Sequence, residues 1–281
     1  MSRPVDVFLE FLEAEQLRGV NHVHLDEGAR LGLRELHERA RGGVKPALIV
    51  SVDLTVEPEP VKVVELAAPP AGGSRAEQLV ALRHQAEQWA PAKALGTLRE
   101  TLVFSAGNPE ARVMLIGEAP GYQEEKEGLP FVGPAGEKLN DILKAMGLSR
   151  EEVYLSHIVK FRPATPNQTT NNRKPTPEEM AVCLPFIRRE IGIVKPQLIV
   201  ALGEAAAAGL LGLAGTVVEL RGAWHDFEGT PVRVTYHPSY LLQTGGGSQT
   251  KRLLWEDMLS VMEKLELPIS DKQRSFFLPK P

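Results

Sequence analysis

The chain has 281 residues, 43% of them hydrophobic and 24% charged, with a formal net charge of −4. These proportions exclude a wholly disordered or fibrous chain, and the length accommodates one domain of ~150–200 residues plus a smaller appendage. The single cysteine, Cys183, excludes an internal disulfide and an all-cysteine metal site within one chain. No apolar run reaches the ~18 residues of a membrane span, so none is expected. The opening MSRPVDVFLEFLEAEQ carries acids inside its apolar stretch and does not read as a secretory signal. A cytoplasmic location is therefore expected.

In chain order, Val5, Phe8, Leu9 and Leu12 recur at helical spacing, as do Leu33 and Leu36, predicting helices over 5–18 and 26–41. His22, His24 and His37 show no metal spacing and read as surface residues. Residues 53–76 hold Pro58, Pro60, Pro69, Pro70, Gly72 and Gly73, the composition of a linker. The division expected is a helical appendage over 1–52, this linker, a catalytic-type domain over 77–268 and a tail over 269–281.

Past residue 76 the pattern changes. RVMLIG (112–117), VYLSHIV (153–159), QLIVALG (197–203) and PVRVTY (231–236) are four short β-rich runs. Helical spacing occupies 135–146 (Leu139, Ile142, Leu143, Met146), 178–191 (Met180, Cys183, Leu184, Ile187, Ile191) and 250–265 (Leu254, Met258, Val261, Leu265). Thr176-Pro177-Glu178-Glu179 is a helix start, with Thr176 as cap and Pro177 at the first helical position. Strands alternating with helices predict an α/β fold with a parallel sheet covered on both faces. Ligands of such sheets bind beyond the carboxyl ends of the strands. Gly117-Glu118-Ala119-Pro120-Gly121, His157 to Arg162, Gly203-Glu204 and His237-Pro238-Ser239 are therefore expected to converge.

Chemically, the Gly-Glu-Ala-Pro-Gly turn lets a ligand approach the backbone closely, although such turns also serve as plain connections. Phe131, between two turn signals, is either a core plug or a face on which a planar ring stacks. His237 is either a structural histidine or a group that meets developing negative charge. Leu241 and Leu242 read as a buried helix start or as a wedge for a base stack. From His157 to Pro177 the chain carries Lys160, Arg162, Arg173 and Lys174 and no acid. That stretch is either a solvated loop or a surface that meets phosphates.

Taken together, GEAPGYQEEKEGLPFVGPAGEKL, VYLSHIVKFRP, NRKPTPEE, QLIVALG and TYHPSYLL resemble the uracil-DNA glycosylase superfamily, and within it the iron–sulfur-type, family 4 enzymes. The resemblance runs from about Leu98 to Leu265, with the motifs in family order. It implies a three-layer α/β/α sandwich around a four-stranded parallel sheet, and hydrolysis of the N-glycosidic bond of a uracil flipped out of DNA. Carried over, Gly117, Glu118, Ala119, Gly121 and Tyr122 would border the uracil and the attacking water, with Glu118 as the acidic residue. Phe131 would stack on the ring, and His237 would hydrogen-bond uracil O2. Lys160, Arg162, Arg173, Lys174 and Ser239 would hold phosphates, and Leu241 would fill the vacated stack. Damaged DNA is the implied partner and a monomer the expected state.

Two positions depart from the family pattern. Phe161 stands where a cluster cysteine is usual, no cysteine lies in 85–100, and only Cys183 matches a ligand position. One thiolate cannot hold a 4Fe–4S cluster, so no cofactor or metal is expected, and apolar packing by Phe161 is expected in its place. His157 stands where the family carries an asparagine. An amide presents a donor and an acceptor side by side, whereas a neutral imidazole presents them on opposite sides of its ring. The loop Ala164–Lys174 has no histidine, so covalent trapping is not expected. Besides uracil cleavage, two readings stay open: a damage-sensing DNA-binding protein, and a glycosylase for another deaminated base.

Overall fold

The computed structural model of the chain describes residues 72–242 and 247–277, together with Leu66. The helices expected over 5–18 and 26–41, and most of the 53–76 linker, lie outside the described residues.

Helices α1 (Arg75–Glu87) and α2 (Ala90–Ala94) come first, followed by strands β1 (Leu98–Leu102) and β2 (Ser105–Gly107). The alternating body then runs β3 (Val113–Gly117), α3 (Tyr122–Glu127), α4 (Pro134–Met146), β4 (Tyr154–His157), β5 (Phe161–Pro163), α5 (Pro177–Val194), β6 (Leu198–Leu202), α6 (Glu204–Leu211) and α7 (Val217–Leu220). Strands β7 (Trp224–Phe227) and β8 (Thr230–Thr235), a 3₁₀ turn (Pro238–Leu241), α8 (Ser248–Lys264) and α9 (Asp271–Arg274) complete it.

The main sheet has the order β2-β4-β3-β6-β8-β7. Its four middle strands are parallel and are the four apolar runs read from the sequence. The expected count of four falls short by two, because β2 and β7 pair antiparallel at the edges. Strands β1 and β5 form a separate antiparallel ribbon. Every residue of β3 and of β6 is buried, as expected for strands covered on both faces.

The pleat sends alternate side chains into two cores. Met114, Ile116, Ile199 and Ala201 pack with Leu82, Trp89, Phe186 and Ile187 on one face. Val113, Leu115, Leu198 and Val200 pack with Leu139, Leu143, Met258 and Val261 on the other. The result is the expected three-layer α/β/α arrangement.

The Thr176 cap is present: its hydroxyl accepts from the Glu179 N–H, and the Glu179 carboxylate accepts from the Thr176 N–H. The segment read as a tail from residue 269 is in part folded onto the domain. Trp255 Nε1 donates to the Gln273 carbonyl at 2.8 Å, and its ring meets Phe276 at 5.2 Å between centroids. Among the described residues, no helix is long and apolar enough to cross a membrane.

Candidate active site

The carboxyl ends of β3, β4 and β8 open into one cleft of about 720 Å³. Its walls include Glu118 to Tyr122 after β3, His157 at the end of β4, His237, Ser239 and Leu242 after β8, and Thr170, Asn172, Arg173 and Lys174 from the basic loop. The register brings the strand ends level, since Gly117 pairs with His157 across β3 and β4. The Ile158 N–H donates to the Gly117 carbonyl and the Val159 N–H to that of Glu118, tying the turn to the neighbouring strand.

Gly117 has to be glycine. A Cβ there would lie 2.6 Å from Phe131 Cζ and 2.7 Å from His157 Cδ2. Phe131 is buried, 1% exposed. It stacks on the His157 imidazole with centroids 4.5 Å apart and planes at 27°, and lies 6.2 Å from the His237 ring. One face of the Phe131 ring is thus covered by His157. Phe131 has φ +55°, a left-handed conformation unusual for a residue with a side chain.

His157 is itself 1% exposed, and its Nδ1 has no hydrogen-bond partner. Burial, reinforced by the nearby His237 and Lys160, holds its imidazole well below the usual histidine range. Burial likewise pushes His237 down to about 4. The Ser239 N–H donates to His237 Nδ1 at 3.3 Å, and the Ser239 hydroxyl lies 2.8 Å from the same atom. A backbone donor on Nδ1 leaves the proton on Nε2. His237 is therefore a neutral imidazole with an N–H to give.

Burial also raises the Glu118 carboxyl above the usual range; Lys174 opposes that shift and Glu204 adds to it. The Gly121 N–H is committed to Glu124 Oε2 at 2.9 Å, so it is not free for a base carbonyl. Tyr122 is 37% exposed at the cleft wall, with the Arg162 guanidinium 5.4 Å from its ring centroid.

The phosphate contacts expected of the basic stretch need correction. Lys160 is fully buried and pairs with Glu190 at 2.8 Å beneath the sheet. Arg162 is 2% exposed and closes a cage: it donates to Glu125, to Asn172 Oδ1 and to the Thr169 and Asn171 carbonyls. Arg173 grips Glu179 with both terminal nitrogens. Of these side chains only Lys174 is largely exposed, resting 3.2 Å from Glu204. Each acid comes from outside the stretch, so a sequence window without acids is not a surface without them. The Ser239 hydroxyl, also expected at a phosphate, is engaged by His237.

Leu241 packs partly buried against the core, whereas Leu242 is 44% exposed and lines the cleft. Of the two leucines, Leu242 is the one exposed at the cleft. Asn172 is a wall residue that sequence reading missed; nothing in its local pattern marks it, and only the folding of the loop brings it to Gly121.

The residues present do not fit a thiolate-bound cluster. Cys183 is buried beside Phe161, Trp89 and Phe186 in one apolar core, and burial pushes its thiol up to about 11. Trp89 and Phe186 meet edge to face at 5.0 Å. Among the described residues, no three His, Cys, Asp or Glu side chains gather as metal ligands.

Comparison with known proteins agrees with this geometry. The family model of the uracil DNA glycosylase superfamily matches residues 104–259. The chain belongs to that superfamily. It is 40% identical to a type-4 uracil-DNA glycosylase of Thermotoga maritima over 57% of this chain and 81% of the relative. It is 38% identical to the type-4 enzyme of Pyrobaculum aerophilum over 52% and 75%. A type-5 uracil-DNA glycosylase of Thermus thermophilus is 32% identical over 56% and 75%.

Proposed function

We propose that this superfamily member is a monofunctional DNA glycosylase that removes a flipped-out deaminated base, uracil first among them. One observation carries the reading: a neutral His237, its Nδ1 held by the Ser239 N–H, stands at the cleft where an Nε2–H can meet an oxyanion. In the reaction the C1′–N1 bond breaks, its electron pair leaves on the base, and positive charge spreads over the sugar. A donor that meets charge only as it develops lowers the barrier rather than merely tightening binding. A neutral donor suits this step, because the departing base takes the charge while His237 keeps its proton. Glu118, ionised, faces the sugar's positive charge, orients the water whose oxygen bonds to C1′ and accepts the proton that water loses, which ends on the released base. Extruding the base costs a few kcal/mol, least at a mismatch.

His157 shapes the choice of base. Its imidazole gives one hydrogen-bonding edge where an amide would give two, and it covers Phe131. We expect slow uracil removal from duplex U·A and faster removal from single strands or U·G. His157→Asn should raise uracil cleavage most in U·A, through the paired amide edge. Single-turnover rates on these substrates provide the check. An unchanged or lower rate in a folded variant would contradict the base-reading role.

The chain works without an iron–sulfur cluster on this reading, because the aromatic packing around Phe161 occupies the core beside Cys183. Purified protein should show no broad absorbance near ~400 nm, where thiolate-bound iron–sulfur centres absorb, and no stoichiometric iron. About four irons per chain would overturn this.

A further inference from the structure

We infer that Arg150 is a positioning residue that clamps the Phe131–His157 stack at the floor of the cleft. It lies outside every motif that pointed to the site, in the turn before β4. From there one terminal nitrogen, Nη1, donates to the Phe131 carbonyl at 2.8 Å, and the other, Nη2, to the Pro130 carbonyl at 2.8 Å. Nη1 also reaches Asn140 Oδ1 on α4 at 3.2 Å, which fixes the guanidinium against the helix.

The clamp acts on a segment that needs one. Phe131 sits at φ +55°, and such conformations persist only where surrounding contacts over-determine them. The other side of the same carbonyl is closed by Gly136, where any Cβ would collide with the Phe131 backbone. The peptide is thus held between a glycine face and a two-pronged donor. The ring it carries is the shelf on which the His157 imidazole lies, 4.5 Å away. Since His157 makes no side-chain bond at Nδ1, the stack is what sets the plane of its ring. A planar guanidinium suits two adjacent carbonyls, whereas an ammonium is a point charge that serves one of them well. Burial lowers the Arg150 pKa, but a guanidinium keeps its charge in proteins, so the donors persist.

This inference rests on the glycosylase reading only for its kinetic consequence, and its test has two arms. The first is spectroscopic. In histidine-labelled protein, the ring protons of His157, assigned by their loss in His157→Asn, should be displaced by the ring current of Phe131. Both Arg150→Met and Phe131→Ala should return them toward ordinary positions. The second arm is a double-mutant cycle on single-turnover uracil cleavage. Arg150→Met should cost roughly 10–100-fold, the scale of misplacing a site by an ångström. In a Phe131→Ala background it should add less than about twofold, since it acts through that ring. Arg150→Lys should fall between wild type and Arg150→Met in both arms, and it serves if Arg150→Met does not fold.

Unmoved His157 signals in folded Arg150→Met or Arg150→Lys, or rate losses that simply multiply, would overturn the clamp. If Phe131→Ala leaves cleavage intact while the His157 signals shift, the clamp stands and the role of the stack in base removal falls.

Discussion

Replacing His237 with alanine should lower single-turnover uracil cleavage by roughly 10²–10³-fold, the usual loss for one oxyanion donor, while DNA binding changes little. The expectation follows from timing. The Nε2–H meets a nearly neutral carbonyl in the bound state and an anion in the transition state, so its worth is concentrated in the barrier. The same site makes a pH statement. His237 is held down to about 4 and His157 well below its ordinary range, both by burial first of all. Neither imidazole changes charge between about pH 6 and 8, the range where an ordinary histidine would titrate. The cleavage rate should therefore show no histidine-type step there. The acid limb should instead follow Glu118, whose raised carboxyl must be ionised to act: activity is present above its pKa and lost as pH falls through it. Glu118→Gln should remove that limb along with most of the rate. Equal losses of binding and rate in His237→Ala would make His237 a structural residue.

The second large effect is on stability. Arg162 is 2% exposed and its partner Glu125 12%. Breaking a buried charge pair costs about 3–5 kcal/mol, and here the lower end applies, because Arg99 still meets the Glu125 carboxylate at 2.9 Å. Here the loss also frees the Thr169 and Asn171 carbonyls and Asn172. Arg162→Ala should lower the Tm by about 10 °C, given the few degrees that each kcal/mol is worth in a domain of this size. It should leave the salt dependence of DNA binding unchanged, because the guanidinium faces no phosphate. Lys174→Ala should do the reverse. Its side chain is 68% exposed, so its loss should spare the Tm and flatten the salt slope by roughly one phosphate contact. Thermal melts and binding at several salt concentrations separate the two variants. A flattened slope in Arg162→Ala with an unchanged Tm would contradict the cage.

These two residues show where sequence reading reached and where it stopped. The four parallel strands were legible because strands buried on both faces are continuously apolar, as VMLIG and LIVAL are. The edges were not: Ser105–Gly107 and Trp224–Phe227 are short and mixed, and only pairing with β4 and β8 makes them strands. The gathering of Glu118, His157 and His237 at one cleft follows from parallel topology, which puts strand ends together whatever the loops contain. The chemistry of the basic stretch did not follow. Lys160 and Arg162 find Glu190 and Glu125, 30 and 37 residues away, which a local window cannot see, and Arg173 finds Glu179 six residues on, just past the end of the stretch. The same limit hid Arg150, whose importance lies in two carbonyls and the left-handed turn they belong to. Leu241 ends the 3₁₀ turn and Leu242 follows it, and only packing decides which one faces the cleft.

The most direct measurement of the central claim is mass spectrometry of single-stranded and U·G oligonucleotides after incubation with the whole chain, with hypoxanthine- and xanthine-containing strands in parallel. A glycosylase of this kind converts the uracil strand to an intact abasic strand and releases free uracil, with no strand cleavage and no protein–DNA adduct. Strands that bind but keep every base would contradict the account and establish a damage sensor in its place.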